Sequence, residues 1–274
     1  MRRLAGLLIA LSVFLGATAA RGQSQADAPK YRDVFYASGD LRIQAYLYKP
    51  EGDGPFPVVI YNHGTRDGRE RESFPFPHIG RMLTQAGYVA WVPERRGYGK
   101  SDGRVWWQEA GGDQARVISR LQAETDDVFA GMEYLRTLPY VDTRRIALMG
   151  WSFGGVVTML AAARSPAFLA AVNQAGGALA WDESGHMRSA LVAAAEKSMT
   201  PTLFMVAKND RTTSSVTTLA DIFRRRELAH KLAIYEAFTP ARPGGAAPGH
   251  ALFSSQGVRL WENDVIEFLG RYVK

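Results

Sequence analysis

The stretch Gly150-Trp151-Ser152-Phe153-Gly154-Gly155 holds a serine in a Gly-x-Ser-x-Gly pattern, between the apolar run Ile146–Met149 and the Ala-rich segment Val156–Ala163. A sharp strand-to-helix turn of this kind lifts a serine hydroxyl clear of the backbone and presents it for nucleophilic attack. The glycines at 150 and 154 have a physical task, because a side chain there would collide with neighbouring backbone while the serine is held in a strained conformation. The helix that follows points its positive end at the place where negative charge develops on an attacked carbonyl. An ordinary serine in a tight turn fits less well, since it needs neither the preceding strand nor the further glycine at 155.

A serine hydroxyl is a weak nucleophile at neutral pH and needs a general base. The chain has five histidines, His63, His78, His186, His230 and His250. For a nucleophile raised on such a turn, the acid and the base follow in chain order after late strands. His250, in Pro248-Gly249-His250-Ala251-Leu252 between the last strand and the C-terminal helix, is the expected base. Asp210 stands at the end of the run Thr202–Ala207 and is the expected acid, orienting the imidazole and stabilising its protonated form. Glu236 on the last strand is the alternative acid, while Asp126 and Asp127 read as a solvated helix face. His186 and His230 read as surface or capping residues, His63 as an organiser of its turn, and His78, after Phe74-Pro75-Phe76-Pro77, as a candidate pocket residue. Two backbone N–H groups must hold the oxyanion. Phe153 supplies one, and the turn Asn62-His63-Gly64-Thr65 supplies the other, with Thr65 preferred and Gly64 next.

These residues require a scaffold that brings strand ends together. Val34–Tyr36 and Leu41–Tyr48 flank Ser38-Gly39-Asp40 and read as a hairpin. The runs 57–61, 88–92, 146–149, 169–173, 202–207 and 232–237 are mostly continuous apolar segments, as expected of parallel strands covered on both faces. Helical patterns lie near 79–86, 123–137, 155–163, 187–197, 216–228 and 258–272. A hairpin followed by β-α alternation gives an α/β fold with a mostly parallel eight-stranded sheet and helices on both faces. Only the segment 174–201 separates two late strands, so no large lid is expected and the site should be open.

Composition narrows the classes further. The chain has 274 residues with 46% apolar, 22% charged, no Cys and a formal charge of +6. That excludes disordered and collagen-like chains, and it excludes thiol nucleophiles and Cys-ligated metal sites. No metal-ligand spacing such as His-Glu-x-x-His is present. Gly97-Tyr98-Gly99-Lys100-Ser101 ends like a phosphate loop, but Glu94 stands where the first glycine is needed. The charge is spread along the chain, and no nucleic-acid partner is expected. Arg224-Arg225-Arg226 reads as a solvated face, and Trp106, Trp107 and Trp181 as either pocket wall or core.

The N-terminus reads differently from the rest. Met1-Arg2-Arg3, the apolar run Leu4–Leu15 and the small residues Ala17-Thr18-Ala19 have the layout of a secretory signal, and the apolar run is short for a membrane span. Residues 1–20 are therefore expected to be a cleaved signal peptide, with residues 28–274 as one domain in the periplasm or outside the cell. Removing Arg2 and Arg3 takes the charge from +6 to +4. The pair lacks the flanking pattern of a twin-arginine signal, and without Cys no lipoprotein anchor is expected.

Taken together, Asn62-His63-Gly64, Arg96-Gly97-Tyr98-Gly99-Lys100-Ser101-Asp102-Gly103, Val141–Ile146 leading into Gly150–Gly155, Asp210 and Gly249-His250 resemble the α/β-hydrolase superfamily, and most of all its dienelactone-hydrolase and prolyl-oligopeptidase-like branch. The resemblance runs from about Tyr31 to Lys274. It implies a serine hydrolase working through an acyl-enzyme, with no metal or organic cofactor and a small ester or short peptide as substrate. Dienelactone hydrolases proper carry a cysteine nucleophile where this chain has Ser152. Prolyl-oligopeptidase relatives usually carry a β-propeller ahead of the catalytic domain, for which this chain has no room. The expected function is carboxylic-ester hydrolysis. Its rivals are a peptidase with the same residues, a catalytically inactive binding module, and a hydrolase tethered by an uncleaved apolar run.

Overall fold

The computed structural model describes residues 29–242 and 244–274; the proposed signal segment 1–20 lies outside them. Eight strands form one sheet: β1 (Arg32–Ser38), β2 (Leu41–Tyr48), β3 (Phe56–Asn62), β4 (Val89–Pro93), β5 (Val141–Trp151), β6 (Phe168–Gln174), β7 (Thr202–Ala207) and β8 (His230–Tyr235). Their spatial order is β1-β2-β4-β3-β5-β6-β7-β8. The pairs β1–β2 and β2–β4 are antiparallel, and every pair from β4–β3 through β7–β8 is parallel. The chain reverses its direction of travel across the sheet at β3 and β5, and in open α/β sheets that switch point is where ligands bind, beyond the strands' carboxyl ends.

The helices are α1 (Pro77–Gln85), α2 (Trp106–Ala110), α3 (Gln114–Leu135), α4 (Phe153–Arg164), α5 (Gly185–Lys197), α6 (Ser214–Arg225) and α7 (Val258–Val273). α1 and α7 pack together on one face of the sheet, and α2 to α6 form a contiguous layer on the other. The central strands carry the core. β4 and β7 are buried at every residue, and β3 is buried from Pro57 to Asn62. This double coverage is why their sequences are unbroken apolar runs. β8 closes the edge with alternating exposure.

Four local features differ from expectation. Helix α2 has no counterpart in the sequence reading, and α3 begins nine residues earlier than the pattern indicates, at an N-cap where Asp113 accepts from the N–H groups of Ala115 and Arg116. The residues around His250 form a 3-10 helix, Pro248–Phe253, instead of open loop. Asp127 is not on a solvated face. It is fully buried and receives Arg96 side-chain N–H bonds at 2.8–3.2 Å, the Arg96 backbone N–H at 2.8 Å and the Ser38 hydroxyl at 2.7 Å. Those partners come from β1 and from the turn after β4, distant in sequence, so α3's own periodicity could not reveal them. Asp126 is exposed and pairs with Arg164.

Candidate active site

Ser152 sits between the last residue of β5 and the first of α4 with φ 58° and ψ −124°. A non-glycine residue in that conformation is strained, and it is held by a hydrogen bond from its N–H to the Gln174 carbonyl at 3.0 Å. The neighbouring glycines leave no space for a side chain. A Cβ on Gly154 would lie 1.8 Å from the Asn62 carbonyl oxygen, and one on Gly150 would lie 2.2 Å from that of Gly154. The turn after β3 therefore packs directly on the elbow. Gly64 completes the approach, since a Cβ there would stand 3.0 Å from the Ser152 Cβ.

The turn after β7 carries Asp210. Its N–H bonds the Ala207 carbonyl at 3.1 Å, and one carboxylate oxygen accepts from the Arg211 N–H at 2.7 Å. The preceding residue, Asn209, clamps Phe238 through two 2.9 Å bonds and accepts the Gly249 N–H on its carbonyl at 3.2 Å. The two turns touch so closely that a Cβ on Gly249 would lie 2.4 Å from the Asp210 nitrogen. This contact brings His250 onto Asp210: Nδ1 is 2.9 Å from Oδ2 and 3.2 Å from Oδ1. A carboxylate only accepts, so Nδ1 carries the hydrogen and the neutral ring keeps its lone pair on Nε2. Nε2 is buried and makes no hydrogen bond to any described residue. The Trp261 indole N–H bonds the Leu252 carbonyl at 2.9 Å and anchors the 3-10 helix to α7.

Ser152 and His250 line one cavity of about 650 Å³, together with Gly64, Thr65, Leu179 and Arg211. As the first residue of α4, Phe153 has an N–H with no acceptor inside the helix. Thr65 is half-buried and borders this cavity. The turn 62–65 that carries it is tied down from below. Asn62 Nδ2 donates to Thr158 Oγ1 at 3.1 Å, the Arg95 guanidinium donates to the His63 carbonyl at 2.7 Å, and His63 Nδ1 donates to the Gly64 carbonyl at 2.6 Å. The His63 ring stacks on Phe76 and meets Tyr98 edge-on. Burial, followed by the Arg95 and Arg66 charges, pushes the His63 pKa well below its ordinary value. The ring is therefore neutral at pH 7, and its 3.6 Å approach to Glu94 is no ion pair. It organises the turn.

Arg95 is fully buried and in turn bonded to Glu124 at 2.7 Å, whose other oxygen accepts from Arg120 at 3.2 Å. The patterning gave no sign of this ion cluster, because Glu124 and Arg120 lie on the buried side of α3. The alternative acid Glu236 is exposed, pairs with Lys208, and makes no bond to His250. His186 is exposed, and His230 bonds the Leu228 carbonyl at 2.8 Å. Trp181 is buried, Trp107 is exposed, and Trp106 packs edge-on against Phe153 at 5.4 Å. Trp151, inside the elbow motif, is a wall residue that the sequence reading does not single out; it borders the cavity of Ser152 and lies 5.5 Å from the His250 ring. Its position between two pattern residues was the available signal. Arg224 and Arg225 are exposed, whereas Arg226 bonds the carbonyls of Ala195 and Ser198 at 2.6 and 2.7 Å.

His78 lines a second cavity beside the first. Burial, with the Arg81 charge adding to it, lowers its pKa to about 4. As pH falls below the ordinary histidine value near 6.5, the unfolded chain gains a proton that the folded chain refuses until about pH 4. Stability is therefore complete above about pH 6.5 and is lost toward pH 4, by about 3 kcal/mol from this residue, with His63 acting in the same direction. Urea denaturation at pH 7 and pH 4.5 checks this, and H78Q is expected to flatten the difference. Among the described residues no group of three or more His, Asp or Glu is placed to hold a metal ion, and no helix is long and apolar enough to cross a membrane.

The sheet order, the elbow at the end of β5 and the late-strand turns define an α/β-hydrolase fold. The chain belongs to the dienelactone hydrolase family, whose model matches residues 43–270. Among curated proteins it is 28% identical over 142 residues to the quorum-quenching protein AidA of Acinetobacter baumannii, covering 52% of this chain and 42% of that one. The chain spans less than half the length of these curated relatives, covering 39% of a second one, an uncharacterized 31.7 kDa protein of Escherichia coli. Among solved structures it resembles the acylaminoacyl peptidase of Pyrococcus horikoshii (TM-score 0.68, 21% identity, 89% of this chain and 42% of that one). It also resembles the esterase Pf2001 of Pyrococcus furiosus (TM-score 0.66, 18% identity, 89% and 92%) and a putative dienelactone hydrolase of Klebsiella pneumoniae (TM-score 0.64, 19% identity, 89% and 99%). At these identities the structural likenesses establish the fold.

Proposed function

We propose that this protein is an exported serine hydrolase that cleaves carboxylic esters through Ser152, His250 and Asp210. The observation that carries the reading is a strained serine sharing a cavity with a histidine whose far nitrogen is bonded to a buried carboxylate. In the reaction, His250 Nε2 takes the Ser152 hydroxyl proton as Oγ attacks the ester carbonyl, and the N–H groups of Phe153 and Thr65 hold the resulting oxyanion. Collapse breaks the carbonyl carbon–alkoxy bond, and the leaving alcohol departs with the proton from His250. Water then repeats the sequence on the acyl-serine, releasing the acid and restoring the hydroxyl. No metal or organic cofactor takes part in these steps.

Export rests on the basic start, apolar run and small residues before Ala20. The esterase reading is tested by comparing kcat/KM for short-chain carboxylic esters and for dipeptide and tripeptide anilides, on protein recovered from the periplasm or medium with residues 1–20 removed. Esters turned over with the anilides inert is the expected result. Anilide turnover matching that of the esters would replace it with the peptidase, a reading that the fold likeness to acylaminoacyl peptidase keeps in view.

A further inference from the structure

Next to the catalytic cavity lies a second one of about 300 Å³, and the two share Gly64, Thr65, Asp67 and Trp151 as their common border. Its remaining wall has an aromatic side, where Phe74, Phe76 and His78 follow one another at alternate positions and face it together with Trp151, and a polar side of Arg66, Arg69, Glu72, Ser254 and Ser255. The rings are already in mutual contact. Phe74 meets Phe76 edge-on at 4.6 Å between centroids, and Phe76 lies 6.2 Å from His78.

The wall is preformed. Phe76 holds φ 52° and ψ 58°, a left-handed backbone that a bulky residue adopts only when its surroundings impose it. It is buried against Tyr61 and the His63 ring, which puts the strained residue between the oxyanion turn and the pocket. Glu94, fully buried at the end of β4, accepts the Phe74 N–H at 2.9 Å and the Tyr46 hydroxyl at 2.9 Å, and it is ion-paired with Arg66. The strand end thus pins the segment that carries the rings.

Both arginines that line this cavity are ion-paired, and the other charged groups on its wall, Asp67 and Glu72, are carboxylates. Arg66 is held by Glu94, and Arg69 pairs with Glu72 at 2.6 Å. The His78 ring is neutral at pH 7, as its pKa near 4 requires. The pocket therefore offers ring faces and edges without a free cation for a carboxylate group. A cavity of about 150 Å³ lined by apolar side chains takes benzene, so this one has room for a ring and a short spacer. Aromatic rings favour edge-to-face and offset partners of the kind that Phe74 and Trp151 present.

Orientation follows from the base. The leaving oxygen must face His250, which borders the larger cavity and not this one. The group that enters the second cavity is then on the acyl side of the scissile carbonyl, past the oxyanion turn.

We propose that the cavity walled by Phe74, Phe76, His78 and Trp151 is the acyl-specificity pocket of Ser152 and that it takes an uncharged aryl or arylalkyl acyl group. This rests on the ester-hydrolase reading and names its substrate class.

The experiment uses ethyl esters with one common leaving group: ethyl acetate, ethyl phenylacetate, ethyl 3-phenylpropanoate and the half-ester monoethyl succinate, with acid release followed at pH 7. The expected order has the two phenyl esters at least tenfold above ethyl acetate in kcat/KM and the succinate ester below them. Phe74 is partly exposed, so F74A is a surface truncation rather than a core cavity. It is expected to lower kcat/KM for the phenyl esters at least tenfold more than for ethyl acetate, chiefly through KM. As a second variant, H78W, which fills the cavity, should reduce the phenyl-to-acetyl ratio while Ser152 still reacts with a small fluorophosphonate. Equal rates for acetate and phenyl esters, or an F74A loss that is the same for both, overturns the acyl pocket and leaves the esterase standing. A succinate ester that outruns the phenyl esters overturns it in favour of a charged acyl group. If no ester is hydrolysed, the ester-hydrolase reading fails and the pocket assignment falls with it.

Discussion

Replacing Ser152 by Ala is expected to lower kcat toward ester substrates by about 10⁶-fold while leaving the fold intact, and Asp210→Asn is expected to cost about 10⁴-fold. The two losses have different origins. Ser152→Ala removes the atom that forms the acyl bond, and alanine tolerates the elbow no worse than serine, since both carry a Cβ at φ 58°. Asp210→Asn keeps the shape but changes the hydrogen that the group can offer. An amide N–H facing His250 Nδ1 favours the tautomer with its hydrogen on Nε2, which cannot accept the serine proton. Combining the two should cost little more than Ser152→Ala alone, because the residues act as a unit. Steady-state kinetics on the single and double variants, with thermal unfolding as a fold control, reads this directly. An additive double variant would mean that Asp210 acts on something other than the nucleophile.

The second large effect is on stability. Glu124→Gln should destabilise the protein by about 3–5 kcal/mol, because two guanidinium groups, Arg95 and Arg120, share that one carboxylate with almost no solvent contact. Arg120 retains Glu109, but Arg95 has no other carboxylate bonded to it among the described residues. Loss of the pair should lower Tm on the order of 10 °C. Arg95 also holds the His63 carbonyl, so a shift of that guanidinium reaches the Gly64–Thr65 backbone. A displaced donor of roughly 1 Å costs up to about 10²-fold in rate. Glu124→Gln is therefore expected to lower both Tm and kcat. Arg95→Met with Glu124→Leu should recover part of the stability, since removing both charges is cheaper than stranding one, but should not recover kcat.

How much of this is legible in the sequence depends on what each residue's role requires of its neighbours along the chain. The sheet was readable because parallel central strands must be apolar on both faces, and β3, β4 and β7 are. The elbow was readable because its glycines are demanded by backbone collisions within a few residues and from the turn after β3. His250 and Asp210 were singled out by chain order and by their place after late strands. The start of α3 was not readable, because its buried side includes Arg120 and Glu124, which a hydrophobic pattern assigns to solvent. Asp127 failed for the same reason: its partners, Ser38 and Arg96, are brought to it by the sheet. The aromatic wall of the second cavity was partly visible as Phe74-Pro75-Phe76-Pro77-His78. That these rings share a cavity with Trp151 depends on the left-handed Phe76 and on Glu94 reaching the Phe74 N–H.

The central claim is that Ser152 is a nucleophile activated by His250. Its most direct test is peptide mass spectrometry of the purified protein after treatment with a fluorophosphonate. A single adduct on Ser152, absent when His250 is replaced by Ala in a variant that still unfolds cooperatively, is the result the account predicts. A folded wild-type protein that takes no adduct, or takes it on another residue, would contradict it and bring the inactive binding module forward.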